Sequence, residues 1–262
     1  MNILIYSSHW PIDSELTHAW INNGYNVYFV SSPTEWNRSY LSLPEGVNEG
    51  VPDRKKKIDF IVVGNQSHAI NALKLKAKRL MFKTPILFVH WWFPFKDRVL
   101  PFVKNVSVTE YERKFLLDLQ GIDSDVVYCP VDTEFFKPSS KIKSQKKAIA
   151  IGNGFKERKI MGYDHLINIL KEVHEMDSEI ELKVLGKNEQ RDYPDYVKVE
   201  YQTKEGLLRE ISESSCVFFT TTRNLIMNSL QISMSTAKEV IVFDSDSFRE
   251  VIEDRISGHL IT

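Results

Sequence analysis

With 262 residues, 42% of them apolar, the chain is long enough for one large core or two small ones. Its 34 Lys and Arg balance 35 Asp and Glu, so no overall charge announces nucleic acid or a membrane surface as the partner. No run approaches the ~20 apolar residues of a membrane span. The opening MNILIYSSHWPI has no basic leader and reads as a buried strand, not a signal peptide, and Cys129 and Cys216 show no CxxC or metal spacing, so a cytoplasmic location and core packing for both thiols are expected.

The apolar run at 2–7 (NILIYS) is what a parallel strand buried on both faces requires. SELTHAWIN at 14–22 reads as a short helix with Ser14 as N-cap and Gly24 as its stop. A strand at 25–31 follows, then a turn-rich stretch at 33–57 that ends in Asp53-Arg54-Lys55-Lys56-Lys57 and reads as a loop. Residues 58–64 form a strand, and 66–82 a helix with Leu73, Ala77 and Leu80 on one face and Lys74, Lys76 and Lys78 around the others. Strands at 86–90 and 105–109 precede a helix at 110–120 closed by Gly121. In VVYCPVDTEFFKP, residues 126–138, a strand ends in a proline-bracketed acidic turn; the chain is polar over 139–147, and strand–helix grammar starts afresh at AIAIGNG, 148–154. Helices at 163–174, 204–214 and 228–236 then alternate with strands at 180–185, 217–220 and 240–244. Short strand-to-helix connections call for right-handed parallel crossovers. The expected class is α/β, with two Rossmann-like domains over 1–136 and 137–262.

Four segments carry a resemblance to a known family: the 126–138 linker, GNGFKERKIMGYDHLINIL, KVLGKN, and SLQISMSTAKEVIVFDSDSFREVIEDRISGHLI. They resemble GT-B glycosyltransferases, especially the large retaining, family 4-like group that includes glycogen synthase-like enzymes. The linker is similar to that group's PNGVDTxxFxP, with Cys129 to Val131 standing where Asn and Gly would be, and the last third to EAMAxGxPVIxxxxxxxxEIIxxxxxGxLV. A weaker similarity, at GFKERK and NLIMNSLQISM, is to phage β-glucosyltransferases that decorate hydroxymethylated DNA. Both groups share the two-domain architecture. The resemblance implies transfer of a sugar from a nucleotide diphosphate sugar, held by the C-terminal domain, to a hydroxyl of a glycan or lipid-linked glycan admitted by the N-terminal domain. The nucleotide sugar is a co-substrate; no obligatory cofactor or metal is expected, since no Asp-x-Asp cluster occupies a strand-end loop. Two alternatives stay open: a DNA-modifying transferase, in which Arg54 to Lys57 and Lys74 to Lys83 track phosphates, and a degenerate nucleotide-sugar-binding protein without catalysis.

In open parallel sheets ligands lie beyond the carboxyl ends of the strands. Gly152 and Gly154, directly after a strand, allow close backbone approach to a diphosphate, and Arg158 and Lys159 are the basic pair that the resemblance assigns to it; a solvated basic loop is the alternative. His90 ends the strand ILFVH, and the resemblance gives it a contact with the transferred sugar, with Trp91 as part of an aromatic platform; packing under a loop is the alternative. His9 and Trp10, after the first strand, fall where relatives admit the acceptor, and Asp13 is the nearest carboxylate, either a base or a helix cap. The last third departs from the group's glutamate pair. Asn224 and Ile232 stand at those positions, so either Gln231 or Glu239 takes over the ribose contact or the donor site is altered, while Glu250 matches the EII glutamate and is assigned to the donor or, alternatively, to a helix-end salt bridge. Relatives also continue past GxLV into helices that cross back onto the N-terminal domain; with Thr262 the last residue, those helices are expected to be absent.

Overall fold

The computed structural model describes residues 1–7, 10–31, 45–90, 103–139, 145–151, 162–186, 193–200, 202–221 and 228–262, with the backbone alone at 7, 10–15, 31, 66 and 90. The first unit, Met1–Pro130, runs β1 (Asn2–Ser7), α1 (Trp10–Asn22), β2 (Asn26–Ser31), β3 (Asn48–Glu49), β4 (Phe60–Val63), α2 (Gln66–Arg79), β5 (Ile86–His90), β6 (Lys104–Ser107), α3 (Glu110–Gln120) and β7 (Asp125–Val126). Its strands pair in parallel in the order β3-β2-β1-β4-β5-β6-β7. The two-residue side-chain period sends Ile3, Ile5, Val27, Phe29 and Val62 to one core and Leu4, Tyr6, Tyr28, Ile61 and Val63 to another, the latter under Ala69 and Ala72 of α2. Strands covered on both faces therefore read as unbroken apolar runs.

The second unit, Val131–Thr262, runs β8 (Lys147–Ile151), α4 (Tyr163–Met176), β9 (Glu181–Leu185), β10 (Val197–Glu200), α5 (Lys204–Glu213), β11 (Cys216–Phe219), α6 (Asn228–Ser235), β12 (Glu239–Phe243), α7 (Asp246–Arg249) and β13 (His259–Ile261). All pairings are parallel, in the order β10-β9-β8-β11-β12-β13. Ile149, Val217, Phe219, Val240 and Val242 pack beneath Ile211, Leu230 and Phe248, while Ala148, Ala150, Leu182 and Val184 pack beneath Leu166 and Leu170 of α4. The class is thus α/β with two Rossmann-like parallel sheets.

Several expectations need correction. α1 begins at Trp10, so Ser14 and Asp13 lie inside it and neither is its N-cap; Pro11 in the first turn, where its missing N–H costs nothing, was the available signal. The expected loop at 33–57 contains β3, and three further elements, β10, α7 and β13, lie beyond the strands and helices read in chain order. Thr109 is not a strand residue but the N-cap of α3, accepting the Glu112 N–H at 2.9 Å while the Glu112 carboxylate reaches back to the Val108 N–H. The division between units falls at Pro130, ahead of the expected boundary at 136, because the acidic turn belongs to the second core. The Asp132 carboxylate accepts the N–H groups of Glu134 and Phe135. That fold-back buries Phe136 fully, Ser235 donates its hydroxyl to the Phe136 carbonyl, and Lys204 sits 3.6 Å from Asp132 and over the rings of Phe135 and Phe136.

Both thiols are embedded in apolar surroundings. Burial pushes Cys129 up to about 12 and Cys216 up to about 11, which keeps them protonated and unreactive. Among the described residues no helix is long and apolar enough to cross a membrane, and no group of three His, Cys, Asp or Glu is placed to hold a metal ion.

Candidate functional site

In the second sheet β8 lies between β9 and β11. The chain leaves β8 toward β9 and β10 and returns to the other side of β8 as β11, so the strand order reverses beside β8, and the switch-point crevice that is the usual ligand site of open α/β sheets falls at the carboxyl ends of β8 and β11. At its floor the turn into α4 presses against the end of β11. Gly162 caps α4 in the left-handed region, φ +63°, and a Cβ there would fall 1.6 Å from the Thr220 carbonyl oxygen, so only glycine permits this approach. Thr220 and Thr221 beyond β11 are buried, as is Tyr163, which meets Tyr193 edge-on at 5.5 Å.

α6 starts on the same side, since it carries the chain from the carboxyl end of β11 to the amino end of β12. Its amino terminus presents backbone N–H groups and a partial positive charge toward the crevice. Gln231 lies in its opening turns, and its buried Oε1 has no hydrogen-bond partner among the described residues. Ile232, at the position of the expected glutamate, is instead a core residue under β11 and β12. Of the two proposed replacements, Glu239 is ruled out: it opens β12 at the amino edge of the sheet and pairs there with His259, at the far end of the strand from the crevice.

Glu250 stands directly after α7, past the carboxyl end of β12, half-buried, with its N–H directed to the Ser247 carbonyl. At the same helix end Arg249 donates twice to Asp244, at 2.6 and 2.5 Å. The hydrogen bonds hold the Asp244 carboxyl below the usual carboxylate range and raise the Arg249 guanidinium. With Lys204 turned to Asp132, both of these edge cations are already engaged by carboxylates. Gly152, Gly154, Arg158, Lys159 and Asn224 lie outside the described residues, as do His9 and Trp91.

In the first sheet β1 is flanked by β2 and β4, which puts the corresponding crevice at the carboxyl ends of β1 and β4. Trp10 opens α1 there and Asp13 follows in the first turns. His90 ends β5 on the same edge, in register with Ser107 of β6. β5 is two strands from β1, a backbone separation of about 10 Å. The topology therefore brings Trp10, Asp13 and His90 to one edge. It adds residues the sequence reading did not single out. Asn65, after β4, caps α2 by accepting the His68 N–H at 2.8 Å, and buried His68 faces the ring of Tyr6 at 6.5 Å, whose phenol burial raises. The signal was present as Asn65 followed three residues later by His68 at a strand-to-helix turn.

No family model matches the chain, and no curated protein matches it. Solved structures do. Anabaena HepE in complex with UDP and glucose superposes with a TM-score of 0.76 at 11% identity, covering 100% of this chain and 86% of that one. Sucrose-phosphate synthase from Thermosynechococcus elongatus gives 0.73 at 11% identity, with 100% and 86% covered. The catalytic domain of starch synthase IV from Arabidopsis thaliana, bound to ADP and acarbose, gives 0.68 at 12% identity, with 97% and 85% covered. The chain has the GT-B glycosyltransferase fold.

Proposed function

We propose that the protein transfers a sugar from a nucleotide diphosphate sugar to a hydroxyl group on a glycan or lipid-linked glycan. The observation that carries this reading lies on the carboxyl edge of the second sheet: Gly162 is forced against Thr220 at the end of β11, and Gln231, in the opening turn of α6, keeps a buried Oε1 without a hydrogen-bond partner among the described residues. A buried carbonyl oxygen without a donor is costly, and a ribose hydroxyl is a donor of the right kind. Among the fold neighbours, HepE was solved with UDP and with UDP-glucose and starch synthase IV with ADP, which supports a nucleotide sugar as the ligand. In this reading Gly152 and Gly154 let the backbone approach the diphosphate, Arg158 and Lys159 neutralise it, Asn224 and Glu250 contact the donor, and His9, Trp10 and Trp91 shape the acceptor side.

The chemistry breaks the bond between the anomeric carbon and the diphosphate oxygen and forms one from the acceptor oxygen to that carbon. Negative charge grows on the departing diphosphate, where helix-end amides and a basic pair are most effective. Asp13 accepts the acceptor's proton, and His90 holds the transferred sugar by a hydrogen bond that strengthens as the transition state forms.

A thermal-shift series against UDP-, GDP- and ADP-sugars tests the donor site. A donor at a hundred times its dissociation constant adds about 2.7 kcal/mol of stability, and Gln231→Leu weakens that donor by roughly tenfold, the effect of one hydrogen bond. Release of free nucleotide in the presence of an acceptor separates transfer from binding alone. Absence of stabilisation by any nucleotide sugar would overturn the reading.

A further inference from the structure

The segment 51–83 holds nine Lys and Arg against two Asp, in a chain whose formal net charge is −1. The fold brings the two ends of this segment together. Arg79, in the last turn of α2, donates to the carbonyls of Pro52 and Asp53 at 2.7 and 3.4 Å, which ties the Arg54-Lys55-Lys56-Lys57 run beside the carboxyl end of α2. Both acids are already engaged: Asp53 accepts the Lys55 N–H, and Asp59 pairs with Lys57 at 2.8 Å. Arg54 to Lys57, Lys74, Lys78 and Lys83 are all exposed.

The same surface carries apolar side chains in water. Leu80 is 75% exposed and Phe82 is 70% exposed. Leu80 caps α2 in the left-handed region, φ 57°, a conformation in which glycine or asparagine would be less strained and a bulky apolar residue contributes nothing to the core. Ile70, also exposed, lies on the outward stripe of α2 with Lys74 and Lys78.

We propose that this surface docks the protein on a membrane bearing anionic lipids, with Leu80 and Phe82 entering the headgroup–acyl boundary and the surrounding Lys and Arg meeting the lipid phosphates. Charge complementarity selects an anionic surface, and the exposed apolar pair favours lipid, because contacts with a phosphate backbone alone leave Leu80 and Phe82 in water whereas a bilayer boundary buries them. Because α2 ends, and the 51–57 segment leads into β4, at the amino edge of the first sheet, docking leaves the carboxyl edge with His90 and Asp13 open. The inference stands independently of the transferase reading, and its test reads no activity.

The experiment is co-sedimentation of the full chain with phosphatidylcholine vesicles, with and without about one-third phosphatidylglycerol, alongside fluorescence anisotropy with a labelled DNA duplex. The expected result is binding to the anionic vesicles only, weakened by added salt. Lys74→Gln/Lys78→Gln lowers the partition coefficient by about twenty-fivefold, at roughly fivefold per cation, and Leu80→Asn/Phe82→Ser by about tenfold. Both pairs are on the surface, and circular dichroism checks that the variants keep the fold. No sedimentation with anionic vesicles at low salt overturns the proposal. So does vesicle binding indifferent to Leu80→Asn/Phe82→Ser, and if the lysine variants then abolish duplex binding the surface belongs to nucleic acid.

Discussion

Replacing Glu210 by Gln should strip the second unit of the centre of a buried charge cluster. Glu210 on α5 is almost fully buried, with Oε2 2.7 Å from Lys147 Nζ and 3.1 Å from Lys183 Nζ; the Lys147 side chain is 2% exposed and that of Lys183 9%. Burial pushes the Glu210 carboxyl upward, but the hydrogen bonds and charges of the two lysines outweigh it and it titrates below its ordinary value. Lys183 shows the converse balance: burial depresses it, yet Glu210 and Glu200 raise it above its ordinary value. Breaking a buried pair from one side costs about 3–5 kcal/mol. The low end applies, because Lys147 keeps Glu213 at 3.0 Å and Lys183 keeps Glu200 at 3.3 Å. A loss of about 3 kcal/mol lowers the melting temperature of the second unit by roughly 9–15 °C. The pH dependence has a definite sign. The Glu210 contribution is present above the unfolded carboxylate value and is lost as pH falls through its depressed native value, whereas the Lys183 contribution is present below the unfolded lysine value and is lost as pH rises through its elevated native value. Melting curves and urea titrations of the wild type and Glu210→Gln from pH 3 to 10 measure both effects. A cost below about 1 kcal/mol at pH 7, or an unchanged acid limb, would refute the claim that this cluster is a mutually dependent buried unit.

Gly162→Ala should destabilise by more than the roughly 1 kcal/mol that left-handed backbone alone costs, because the new methyl meets the Thr220 carbonyl; an unfolding curve like that of the wild type would contradict this packing. Arg158→Ala/Lys159→Ala should weaken donor binding by about 1.5–3 kcal/mol per lost contact with the circular dichroism spectrum intact, and calorimetry showing unchanged affinity would remove both residues from the diphosphate site. His90→Ala should reduce turnover by about a hundredfold with little change in nucleotide affinity. A variant that melts lower yet turns over normally would make His90 a packing residue only.

The sequence alone was enough for the class and the order of most elements. Runs such as NILIYS and ILFVH are unbroken because helices cover both faces of their strands, and glycines and prolines mark the turns where periodicity changes. The acidic turn at 131–136 was visible as a junction, but its allegiance was not, since that depends on where Phe136 finds its core. β10 escaped notice because VKVE is half polar, as the edge strand of a sheet with one solvated side is expected to be. Candidate positions were legible where a residue ends a strand, as His90 ends β5, because the carboxyl ends of strands in a parallel sheet all lie on one edge. That Gln231 and Glu239, close in sequence, lie toward opposite edges of the sheet is visible only in the tertiary structure, because a helix and a turn reverse the chain between them. The same holds for the two lysine runs that Arg79 joins and for Lys147, Lys183 and Glu210, which are scattered along the chain and meet only when β8, β9 and α5 pack. Local pattern reports which face of an element is buried; which charges share that face is decided by contacts between residues far apart in the chain.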